Sequence, residues 1–127
     1  MTFENKQYTK LDTFAETVYM VKLAADPKAY PRDDGSHDVV LTFCDSSRFD
    51  NHEDMWVDAR VVRGQSDRAK KMRKGDQVQV KGKVRYKRQE DGKYRGKIFD
   101  AVFQSFVNTS ERTPIEPGEG KTPALFE

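Results

Sequence analysis

Between Gln77 and Lys87 the chain alternates: Val78, Val80, Gly82, Val84 and Tyr86 fall on one side, and Gln77, Gln79, Lys81, Lys83, Arg85 and Lys87 on the other. Successive side chains of a strand point to opposite faces, so this segment predicts a half-buried β-strand with a cationic outer surface. Met55 to Val62 alternates in the same way, with Met55, Val57, Ala59 and Val61 opposite Trp56, Asp58 and Arg60. Thr17–Leu23 and Asp38–Cys44 are rich in β-formers and read as two earlier strands. Tyr94–Val107 reads as a fifth, but its apolar residues fall on both faces (Ile98, Val102, Phe106 against Phe99, Ala101, Phe103), so alternation does not fix its phase.

Turn chemistry separates most of these strands. Asp26-Pro27 ends the first, Pro31-Arg32-Asp33-Asp34-Gly35 predicts a turn before the second, and Glu90-Asp91-Gly92 predicts the turn into the fifth. Asp45–Asp54 is polar and acidic and reads as a loop. Ser66–Met72 predicts a short helix, N-capped by Ser66 or Asp67 and closed by Lys74-Gly75-Asp76. Thr113–Glu127 holds Pro114, Pro117, Gly118, Gly120 and Pro123 without periodicity and reads as a tail. The expected layout is a domain over residues 1–110 and a Pro/Gly-rich tail over 111–127.

Composition narrows the class. At 127 residues, with 35% hydrophobic and 35% charged residues, the chain suits one domain with a small core and a heavily charged surface. A single cysteine, Cys44, rules out an internal disulfide and the thiolate cluster of a usual zinc site. No apolar run approaches the roughly 20 residues that cross a bilayer, and Met1–Glu16 lacks the order of a signal peptide. The expectation is a cytoplasmic protein with no membrane contact.

The net charge of +2 conceals a strong asymmetry. From Arg60 to Lys97 there are fifteen Lys and Arg against four acids, a balance of +11, which leaves −9 for the remainder. Clustered cations gain by releasing the counterions condensed on a polyanion, so a nucleic-acid partner fits; a solvated basic face fits the charge alone equally well. Catalysis has little support: His37 and His52 are assigned to loops with no nucleophile motif beside them, and no phosphate-loop or paired-cysteine signature occurs. Asp45, Asp50, Glu53 and Asp54 lack calcium-loop spacing and are assigned to solvation. The chain is expected to be no enzyme, with no cofactor and no metal.

Three strands, a short helix and a two-strand hairpin is the order of an OB-fold, and particular residues carry a closer likeness. Leu23-Ala24-Ala25-Asp26-Pro27-Lys28-Ala29-Tyr30, Lys74-Gly75-Asp76-Gln77-Val78-Gln79-Val80-Lys81-Gly82-Lys83-Val84, and Asp91-Gly92-Lys93-Tyr94-Arg95 with Asp100-Ala101-Val102 resemble blocks of the single-stranded DNA-binding (SSB) protein family, over about Glu16 to Val107. The resemblance implies an all-β fold, a five-stranded Greek-key OB barrel with one short helix between strands 3 and 4. It also implies a bacterial or phage member in the bacterial or host cytoplasm, acting as a homo-oligomer, dimer or tetramer. Such a protein coats single-stranded DNA in replication, recombination or repair, and its tail recruits partner proteins. An OB-fold adaptor or replication-restart scaffold acting through protein contacts, and an RNA-binding OB-fold, are the alternatives. Two departures stand out: Val62 or Arg63 occupies the place of an aromatic at the end of the third strand, and Gln89, with Tyr86 as the nearest ring, that of a stacking aromatic on the fourth.

Binding a single strand without sequence preference needs cations along the backbone and π-faces for bases. Trp56 is the leading platform by alternation, the alternative being a core tryptophan. Arg60, Arg63, Lys81, Lys83, Arg85, Lys87, Arg88, Lys93 and Arg95 supply the cations, and Tyr86, Tyr94 and Phe49 further rings, unless Phe49 merely anchors its loop. Leu125 and Phe126 loosely echo the family's tail tip and are assigned to partner proteins.

Overall fold

A computed structural model describes residues 16–45, 55–92, 94–118, 120, 122, 123 and 126. Phe49, His52, Asp50, Glu53, Asp54, Lys93 and Leu125, all singled out in the sequence, lie outside them. Among the described residues seven strands form: β1 (Thr17–Lys22), β2 (Lys28–Pro31), β3 (His37–Asp45), β4 (Met55–Val61), β5 (Gln77–Gly82), β6 (Val84–Arg88) and β7 (Tyr94–Ser105). They make one sheet in the order β1-β5-β7-β4-β3-β2, with β6 also on β7. A bridge between Leu23 and Phe43 joins the end of β1 to β3, so the sheet curls on itself as in an OB-fold. Among the described residues no helix is long and apolar enough to cross a membrane.

The expectation of five strands is corrected to seven, and one added strand and one break account for the difference. The first expected strand ends at Lys22; past Pro27 the chain re-enters the sheet as β2, four residues paired antiparallel to β3. The fourth is interrupted at Lys83, which separates β5 from β6. The expected turn at Pro31–Gly35 joins β2 to β3, with Gly35 at φ 86°, a conformation that glycine adopts without a Cβ penalty. His37 and Asp45, both assigned to loops, are the first and last residues of β3, and Asp45 is buried rather than solvated. The helix is also shorter than expected. A 3₁₀ turn at Arg63–Gln65 leads into α1 (Ser66–Ala69), whose N-cap is Gln65 rather than Ser66 or Asp67.

The inner face is apolar and closely packed. Leu41, Phe43, Met55, Val57, Val78, Val80 and Ile98 are fully buried, and Ala69 and Met72 from the helical turn join the same cluster. Each large side chain so buried contributes roughly 1.5–3 kcal/mol.

β7 contains one extra residue, and this settles the phase that alternation left open. Ala59 pairs with Ile98 but Val61 with Ala101, and Val84 pairs with Ile98 but Lys81 with Val102. The surplus falls at Phe99-Asp100, a β-bulge. Before it the inward residues are Gly96 and Ile98; after it they are Ala101 and Phe103. Gly82 lies opposite this corner, and a Cβ there would stand 2.3 Å from Ile98 Cγ2. That methyl sits on a β-branched side chain with little rotamer freedom. Gly82→Ala should therefore destabilise the protein by about 1–3 kcal/mol, read from the urea midpoint; an unchanged midpoint would refute this close approach.

Candidate nucleic-acid interface

The outer wall of β3, β4, β7 and β6 is organised in rows fixed by strand register. Cys44, Trp56, Arg95 and Lys87 form one row, and Thr42, Asp58, Lys97 and Arg85 the next. The third holds Val40 and Arg60, whose Nε donates to the Phe99 carbonyl oxygen at 3.1 Å. Trp56 is 44% exposed, so it belongs to this wall and not to the core. Four cations (Arg85, Lys87, Arg95, Lys97) thus stand within two adjacent rows beside one accessible indole.

An acid at the centre makes this crowding tolerable. Asp58, buried to 8% exposure, accepts from Arg95 Nε at 2.5 Å and Nη2 at 2.9 Å, and from the Thr42 hydroxyl at 2.8 Å. The same pairing holds the Arg95 guanidinium further toward its charged form. Lys97, 5% exposed, is pushed the other way: burial lowers its pKa first, and Lys87 and Arg95 add to the effect while Asp58 opposes it. It is a largely covered cation on a wall whose Trp56, Arg85 and Lys87 are exposed.

The remaining expected site residues divide by position. Lys83 and Arg85 line a groove of about 310 Å³ with Lys81, Gly82, Phe99 and Asp100, so Lys81 reaches the edge of the wall from β5, 3.9 Å from Glu16. Arg88 pairs with Tyr94 at the hairpin; by strand parity they occupy the opposite face from Lys87 and Arg95, and Tyr94 is 49% exposed. Tyr86 shares the inner face with Val84 and packs against the core, so it is not a platform on the wall. Arg63 sits in the 3₁₀ turn, where it pairs with Asp34 at 3.2 Å and lines a cleft with Arg60 and Asp100.

Two participants escaped the sequence reading. Lys97 was counted as a charge but not placed, and Phe99 was not singled out, because its orientation depends on the bulge. The tail also departs from a free segment. Arg112 pairs with Asp76, Ile115 N donates to Lys70 O at 2.8 Å, and Gly118 N donates to Ala29 O at 2.7 Å. Thr122 then donates to Asp38, which Arg32 also holds with two contacts of 2.9 Å. Phe126, 3% exposed, lies against Arg60 and Phe99 on the outer wall.

This architecture is that of an OB-fold. It is similar to a Plasmodium falciparum SSB solved in complex with single-stranded DNA, with a TM-score of 0.53 and 14% identity, covering 72% of this chain and 94% of that one. No family model matches the sequence, and no curated protein does.

Replacing Asp58 by Asn should separate two roles of the acid. Loss of the charge-assisted pair should lower stability by about 1–3 kcal/mol, measured by urea unfolding. The freed Arg95 and Lys97 should at the same time raise affinity for polyanions, measured by retention on a heparin column. Equal retention of variant and parent would show that Asp58 does not moderate the wall's charge.

Proposed function

We propose that this protein is a sequence-tolerant single-stranded DNA-binding protein that coats and protects unwound DNA in replication, recombination or repair. The observation that carries the reading is Trp56, an exposed ring with Arg95 beside it in register and Lys87 one strand beyond, and with Lys97 and Arg85 in the next row. A ring of this kind stacks on any base, and the cations beside it serve the phosphates, so neither requires a sequence. The likeness to a fold solved with single-stranded DNA supports the choice of ligand. The homo-oligomer of the reading has support in a second surface: Val18, Met20, Val102 and Phe106 are exposed apolar residues on β1 and on the end of β7 and beyond it.

The direct test is a titration of oligo(dT) followed through Trp56, the only tryptophan. Its fluorescence should drop on binding, and log K should fall linearly with log salt. Replacing Arg85 and Lys87 by Gln should reduce that slope by about 0.7 for each cation removed. Absence of binding at micromolar protein in low salt would end the proposal. Tighter binding of oligo(U) or duplex in competition would replace single-stranded DNA by RNA or duplex as the ligand.

Lys97 adds a pH dependence. Its pKa in the free protein is below the ordinary 10.5, and a phosphate placed against it favours the charged form and raises the pKa again. Binding then takes up a proton between the lowered value and the pKa of the complex, so affinity falls as pH rises through that alkaline window and is flat below it. Lys97→Arg should flatten the profile; an identical profile in parent and variant would exclude Lys97 as the titrating group.

A further inference from the structure

We infer that the groove between α1 and the segment following β7 is a docking site for an acidic peptide that carries large apolar side chains. The inference goes beyond the single-strand reading, because the occupant is a segment of a second protein and the groove lies off the outer wall.

The groove has a volume of about 420 Å³, with Asp67, Arg68 and Lys71 on one bank and residues Val107 to Ser110 on the other. Sites that enclose a small ligand measure roughly 300–1,000 Å³, so one or two large side chains fit here. Local bonds fix both banks. The Ser105 hydroxyl donates to the Val107 carbonyl oxygen at 2.9 Å and accepts from Val107 N at 3.1 Å. Asn108 Oδ1 accepts from Ser110 N at 3.0 Å, an Asx turn, and Arg112 N donates to Thr109 O at 3.0 Å. On the opposite bank Lys70 N donates to Ser66 O and Lys71 N to Arg68 O, which carry the helical turn on past α1. Banks already in place cost little ordering when the groove is filled.

The lining selects the chemistry of the occupant. Arg68 and Lys71 are three positions apart, the spacing at which side chains on a helical turn are neighbours. Among the described residues neither pairs with an acid, whereas Asp67, the carboxylate of the lining, is engaged by Lys70 at 3.4 Å. Two cations are therefore left beside an apolar floor made by Val107, which packs against the core, and by their own aliphatic stems. Carboxylates complement such cations, and Arg68 can take one with two parallel hydrogen bonds. An apolar side chain set between those carboxylates covers Val107. A polynucleotide is the poorer match, because the lining contains no aromatic ring on which a base would stack.

β7 separates this groove from the wall. Arg95, in register with Trp56, stands near the start of the strand, and Val107 lies two residues past its end, with the bulge between them. Strand and peptide thus use different parts of the barrel, and one molecule can hold both at once.

The test follows the fluorescence anisotropy of a labelled probe, a short peptide of glutamates interrupted by one leucine and one phenylalanine, titrated with the full chain in the absence of nucleic acid. The probe should bind, and Arg68→Glu combined with Lys71→Glu should weaken binding by about 10- to 100-fold. A probe with serine in place of its leucine and phenylalanine should bind about 5- to 50-fold more weakly, a comparison that requires no variant protein to fold. Addition of the probe should shift the amide resonances of Val107, Asn108 and Thr109. Saturation with oligo(dT) should leave probe affinity within about 2-fold of its value alone, as sites without shared partners require. No binding at millimolar probe, equal binding by the charge-reversed protein, or equal binding of the serine probe refutes the docking site. Displacement of the probe by oligo(dT) also overturns it and assigns the groove to nucleic acid. The probe is titrated without nucleic acid, and oligo(dT) binding is read separately through Trp56, so failure of this inference and failure of the single-strand reading are distinguishable.

Discussion

One surplus residue in β7 is the constraint on which the arrangement turns. A strand that curls with a barrel must serve two walls, and side chains alternate strictly, so an uninterrupted β7 would send its apolar residues outward on one of them. The bulge at Phe99-Asp100 resets the phase between Ile98 and Ala101, and both halves then face the same core. Gly82 is the other half of the same corner. The strand crossing opposite must come in without a side chain, because Ile98 occupies the space that a Cβ would need. The Arg60 contact with the Phe99 carbonyl and the bond from Val62 N to Ala101 O employ carbonyl groups at the irregularity.

The pattern in the sequence was informative wherever a segment kept one face in the core. Gln77–Lys87 and Met55–Val62 sort into inner and outer residues as their alternation predicts, since a one-residue slip would have exposed every valine. What stayed hidden depended on contacts distant in sequence. The bulge has no local signature in Phe99-Asp100, so the phase of β7, and with it the outward position of Phe99, was not legible. β2 is only four residues long and bounded by prolines, too short for periodicity to register. The tail has no repeating pattern, and its course follows from hydrogen bonds to Lys70, Ala29 and Asp38, residues far away along the chain.

The outer wall holds opposing demands in balance. Like charges on neighbouring strands destabilise a sheet, and Arg85, Lys87, Arg95 and Lys97 are neighbours in register. Asp58 relieves part of this by pairing with Arg95, and a covered Lys97 bears the cost of burial. A wall left with excess positive charge has its repulsion relieved by an anionic ligand, so the strain in the free protein and the attraction for a polyanion share one origin.

The passage of residues around Gly118 beside Ala29 has a bearing on self-association. β2 ends the sheet order, and a terminal strand with free amide and carbonyl groups is a template on which other chains can extend the sheet. By taking the Ala29 carbonyl as acceptor, the tail caps part of that border with the protein's own backbone. Shortening the chain ahead of Gly118 would uncover it, and the molecule would lose a built-in guard against edge-to-edge aggregation.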